Sequence, residues 1–140
     1  MTIHQRLWLA LPPVLLCVAD AALTLRGQPR EYWQGDFSRV LEFNPLGHVL
    51  LAYHPGAFAA GVAGYLVFFL LLMQLLTRRW IILLTFALSI GHAIGGAGWL
   101  AREGSIGWIL ALCFIVAAER LVGISWRMSG LVKTELSPAV

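Results

Sequence analysis

Trp80–Trp99, WIILLTFALSIGHAIGGAGW, is apolar from end to end, with a tryptophan at each end and one histidine, His92, inside it. At helical rise the two tryptophans stand roughly 28 Å apart, the hydrocarbon thickness of a bilayer. Tryptophan is enriched at both membrane–water interfaces, so the pair acts as a ruler against which the rest of the chain can be placed.

Composition agrees. Of 140 residues, 59% are hydrophobic and 12% charged, and the mean hydropathy is +0.79; a soluble domain of this size is far more polar. One small bundle is the expected architecture. The net charge of +3 is small and dispersed, so no nucleic-acid-binding patch is present and the lipid bilayer is the expected partner. Cys17 and Cys113 both fall inside apolar runs without CxxC or metal-type spacing and read as small buried hydrophobes.

Three more spans can be read around the ruler. The first covers about 7–25 and contains Pro12–Pro13, which should kink it; lipid tolerates this if neighbours satisfy the freed carbonyls. It resembles a signal peptide in its Arg6 and apolar run, but Asp20 interrupts the small-residue stretch, so a retained helix is expected. The second covers about 56–76, the ruler 80–99, and the last about 108–126, again bounded by tryptophans. Between the first two lies a polar outer segment, 26–55. It is too charged to enter hydrocarbon and carries an interfacial turn around Phe37–Leu41 and a short helix Pro45–Tyr53, opened by Asn44–Pro45 and broken by His54–Pro55. The fold class is therefore an all-α integral membrane bundle of four transmembrane helices with a short extra outer-side helix.

Four spans put both ends on one side, with Arg6, Arg78, Arg79, Arg127 and Lys133; Arg26, Arg30, Arg39 and Arg102 lie on the other. The positive-inside rule, led by the short Arg78–Arg79 turn, favours cytoplasmic termini. The last turn but one of the ruler offers Gly91 and Gly95 as a GxxxG face for a partner membrane protein or a second copy.

Ionisable groups inside a membrane are costly and are candidate functional sites. Asp20, His92, Glu119 and Arg120 qualify. Measured from the tryptophans, Asp20 and His92 both lie about 10 Å below the outer interface, and Glu119 sits deeper, about 17 Å from Trp108. Pro13, Cys17, Asp20 and Thr24 form one stripe; Thr85, Ser89, His92, Gly96 and Trp99 form another; facing stripes would pair Asp20 with His92. Glu119 and Arg120 point about 100° apart, so Glu119 is expected to turn inward to Ser89 or His92 while Arg120 snorkels. Above this level cluster Glu42, Asn44, His48 and His54.

The expected polar site is thus Asp20, Glu42, Asn44, His48, His92 and Glu119. Asp20, Glu42, His48 and His92 would offer nitrogen and oxygen ligands suited to zinc or iron, although no HExxH spacing exists. A haem or pigment held through His92 alone is a weaker alternative. Ser89 and His92, three apart on one helix, lack the geometry of a catalytic dyad.

Asp20, Thr24, Gly27 and then Glu42-Phe43-Asn44-Pro45 resemble a pattern in a broad family of uncharacterised small prokaryotic integral membrane proteins: Asp and Thr ending the first helix, then Glu-x-Asn-Pro before the second. The likeness covers the first half of the chain, whose stretch from Gly27 to Glu42 is longer than that pattern. It implies a polytopic bundle in a prokaryotic inner membrane and supports grouping Asp20, Glu42 and Asn44 in one site. The leading expectation is a non-catalytic accessory subunit or binding module. The alternatives are a metal-dependent intramembrane hydrolase using Asp20, Glu42, His48 and His92, and an oligomeric transporter with Asp20, His92 and Glu119 as proton relay.

Overall fold

The structure is a computed structural model and describes residues 1–131; Lys133, counted above among the terminal-side charges, lies outside them. The described chain is all helical: α1 (Ile3–Arg26), α2 (Arg30–Trp33), a 3-10 turn (Phe37–Arg39), α3 (Pro45–Tyr53), α4 (Pro55–Leu75), α5 (Arg78–Ala101) and α6 (Gly104–Met128). α1, α4, α5 and α6 are each long and apolar enough to cross a membrane. The protein is a membrane-embedded four-helix bundle.

α1, α5 and α6 overrun the expected ranges because helix ends are set by caps as well as by hydropathy, while α4 keeps its expected length. Thr2 and Gln5 form a reciprocal capping box that starts α1 well before Leu7. Arg78 and Arg79 belong to the first turn of α5 instead of forming a turn of their own, and the link from α5 to α6 shrinks to Arg102–Glu103. Asn44 caps α3, its side chain accepting from the Leu46 and Gly47 amides, and His54 caps α4 by accepting from the Gly56 amide.

α1 is the central helix. It packs on α4, α5 and α6, while α5 and α6 pack on each other and α3 lies on α4. Its paired prolines explain two polar side chains deep in the bundle. Pro12 and Pro13 have no amide hydrogen, which leaves the carbonyls of Trp8 and Leu9, four residues earlier, without their helical donors. Thr85 of α5 donates its hydroxyl to Leu9 O at 3.1 Å, and Ser125 of α6 donates to Trp8 O. Both hydroxyls are buried, at 2% and 1% exposure. A sequence defect in one helix is thus filled by the two helices it packs against, which also fixes their register. At the same end, Arg6 donates to the carbonyls of Met73 and Leu76, closing the last turn of α4.

At the α3 end, buried Gln28 holds the polar segment in place. Its amide donates to Leu41 O and accepts from Leu41 N, both at 2.9 Å. Tyr32, fully buried among Val40, Leu51 and Phe58, donates to Leu51 O at 3.0 Å, and burial pushes its phenol pKa up.

Candidate functional site: an Asp–His pair in a cavity under the short helix

α4 leans on α1 and α3 without extended contact to α5. The gap it leaves is a cavity of about 880 Å³. α1, α4 and α5 form its walls, and the segment Glu42–Asn44 with the first two turns of α3 forms its roof.

Asp20 and His92 meet inside it. His92 Nδ1 lies 3.0 Å from Asp20 Oδ2, and both side chains are about four-fifths buried. Gly95, one turn beyond His92, makes room for the carboxylate: a Cβ there would stand 2.7 and 2.8 Å from the two Asp20 oxygens. This half of the glycine face is therefore used inside the chain, against α1. Gly91 also lines the cavity, where a Cβ would meet nothing within 4 Å. Tyr65 of α4 closes the far side, its ring edge-on to the His92 imidazole at 5.9 Å.

Toward the mouth, polarity falls to the roof and rim. Glu42 and Asn44 line the cavity, and Glu42 Oε1 accepts from the Asn44 amide at 2.7 Å. Both carboxylate and carboxamide are thereby engaged in shaping the start of α3. At the rim, the Arg102 guanidinium stacks over Trp99 at 4.1 Å and Phe43 at 5.2 Å, joining the end of α5 to the roof. Gly27 lets the Trp99 ring lie against the end of α1, where a Cβ would overlap that ring. The remaining surface is mostly apolar, with Leu46, Leu50, Phe58, Val62 and Ile94 among the contributors.

Two expected members are elsewhere. His48 is exposed on α3, where its Nδ1 stands 3.3 Å from the Glu42 carbonyl, and it is not among the cavity residues. α3 turns Gly47 and Leu50 toward the cavity, and one residue of helical rotation carries His48 away. Glu119 does not turn inward. It pairs with Arg120 at 3.4 Å on the outer face of α6. Side-chain length bridges the 100° between adjacent positions, and the inward face of α6 is taken by Gly107, Ala111, Ala118 and Ser125.

The zinc or iron set is consequently not assembled: Asp20 and His92 bind each other, Glu42 caps, and His48 faces away. Among the described residues no three His, Cys, Asp or Glu side chains gather where they could hold a metal ion. Ser89 Oγ is buried without a partner among the described residues, and Ser89 is not a cavity residue. Tyr65 is the site residue that sequence reading missed; in an apolar span nothing distinguishes it from the phenylalanines beside it.

The chain matches no family model, no curated protein and no solved structure.

Proposed function

We propose that this protein is a non-catalytic binding module that takes one amphiphile from the surrounding leaflet into the cavity beneath α3. The observation that carries this reading is a cavity of about 880 Å³ whose walls are mostly apolar and whose inner end holds a hydrogen-bonded Asp–His pair. That volume falls within the ordinary range of small-molecule sites, and an apolar pocket with a few convergent polar groups is their usual chemistry. A headgroup with donors and acceptors fits against Asp20, His92 and Thr24; an acyl or isoprenoid-like chain fits along Leu46, Leu50, Val62 and Ile94. The separation of α4 from α5 supplies a sideways route from lipid, which an amphiphile needs and a water-soluble ligand does not.

In this reading the termini and Arg78–Arg79 lie in the cytoplasm of a prokaryote, the host is its inner membrane, and the cavity opens in the outer leaflet. The charge pattern supports that orientation. The Asp20–His92 pair is the recognition element: a hydrogen bond this shielded from water is costly to leave half-made, so the pair holds its geometry before the ligand arrives.

Native mass spectrometry of protein released from lipid nanodiscs tests the proposal. Wild type is expected to retain one amphiphile per chain. Asp20→Asn and His92→Ala should each lower that occupancy at least tenfold, equivalent to about 1.4 kcal/mol of binding. Wild-type protein emerging without bound amphiphile, or equal occupancy in all three proteins, would refute it.

A further inference from the structure

The outer face of α6 carries a charge pair that the bundle does not use. The Glu119 and Arg120 side chains are 69% and 75% exposed, yet they lie about 10 Å of helix before Trp126, inside the stretch expected to sit in hydrocarbon. Arg120 has the length to snorkel toward the nearer interface. Glu119 is too short to follow, and a carboxylate facing lipid with one partner is poorly accommodated.

The residues around the pair form a regular seam. Ile109, Cys113, Val116, Arg120, Gly123 and Arg127 alternate at spacings of four and three, the period of a left-handed helix pair. They occupy the side of α6 opposite its buried Ala111, Ala118 and Ser125. Gly123 has open space where a Cβ would be, and Cys113 is exposed, so small side chains leave room for close approach.

We propose that two copies of this chain associate in parallel through α6, with Glu119 of each copy meeting Arg120 of the other. In the seam Arg120 takes an a position and Glu119 the g position just before it. In a parallel pair the g residue lines the hole that receives the opposite a side chain. Adjacent opposite charges are also self-complementary across a two-fold axis normal to the membrane. Any other occupant would have to present one acid and one base at the same depth; a second copy in the same orientation does so by symmetry. Across that axis Cys113 meets its own equivalent.

Oxidative cross-linking in proteoliposomes at high lipid excess reads this directly. Wild type is expected to give a disulfide-linked dimer with copper phenanthroline, and Cys113→Ser to give none, since Cys17 is buried. Ile90 is exposed on α5, and Ile90→Cys in the Cys113→Ser background should cross-link at least tenfold less. Glu119→Arg alone and Arg120→Glu alone should each reduce the Cys113 product at least fivefold, and mixing the two variants should restore it as a heterodimer. Cross-linking of Cys113 no better than that of Ile90→Cys, or yields indifferent to either charge reversal, would overturn the proposal.

Discussion

Thr85→Val is expected to lower unfolding free energy by about 1–2 kcal/mol, and Ser125→Ala by a similar amount. Interhelical side-chain hydrogen bonds in lipid average only about 0.6 kcal/mol, because a partner lost in one place is found in another. Here the acceptors are the buried Leu9 O and the part-buried Trp8 O, carbonyls whose helical donors are missing at Pro13 and Pro12. With its hydroxyl partner removed, each carbonyl has neither a helical nor an interhelical donor, so the larger cost of an unsatisfied group applies, about 1–3 kcal/mol. The prolines make the claim separable from simple packing. In a Pro13→Ala background the backbone amide returns to Leu9 O, and Thr85→Val should then cost less than half as much. Pro12→Ala should rescue Ser125→Ala in the same way. Unfolding in bicelles, read as two double-mutant cycles, gives the coupling. Equal costs with and without each proline would show that the hydroxyls merely fill space.

Gly95→Ala should damage the Asp20–His92 pair directly, and Gly91→Ala should be nearly silent for folding. The added Cβ at position 95 would lie 2.7 and 2.8 Å from the Asp20 oxygens, while at position 91 it meets nothing within 4 Å. Asp20 can yield only by leaving His92 or by pushing α1 off α5. Overpacking of this kind costs about 1–3 kcal/mol, and a broken Asp–His pair removes the recognition element as well. Amphiphile occupancy is expected to fall more than tenfold in Gly95→Ala; Gly91 lines the cavity itself, so Gly91→Ala is the control for stability. Thermal unfolding in the same detergent should separate the two variants clearly. Matching behaviour would mean that α1 and α5 are not held at this distance by Gly95.

Much of the architecture follows from the sequence because bilayer thickness imposes a length scale. Tryptophans at 80 and 99 locate one span, and depth measured from Trp99 for His92 and from Trp8 for Asp20 puts the two at one level, where the structure joins them at 3.0 Å. Asn44–Pro45 marks a helix start and His54–Pro55 a helix break by local chemistry alone; the structure runs α3 from Pro45 to Tyr53, and Pro55 also opens α4.

Rotation about a helix axis is what the sequence leaves open. In water an apolar stripe points to the core, but in lipid both faces of a span are apolar. α6 illustrates the consequence: Glu119 lies one residue from inward-facing Ala118, and 100° of rotation turns an expected relay residue into an outward ion pair. His48 is misplaced for the same reason, one position from Gly47 on the cavity wall. The partners of the proline-freed carbonyls were equally hidden. The need for donors can be read at Pro12–Pro13, but their identity as Thr85 and Ser125 depends on how three helices meet.

The most direct measurement is photolabelling of the protein in proteoliposomes doped with a phospholipid carrying a diazirine on its acyl chain, followed by peptide mapping. Labelling should concentrate on cavity residues such as Leu46, Leu50, Val62 and Ile94, and unlabelled phospholipid in excess should compete it away. The lipid-exposed positions Val67, Phe68 and Leu71 should be labelled weakly and without saturation. Uniform, non-saturable labelling of all exposed apolar faces, with no excess in the cavity, would contradict a bound amphiphile and leave the Asp20–His92 pair as a device for holding α1 to α5.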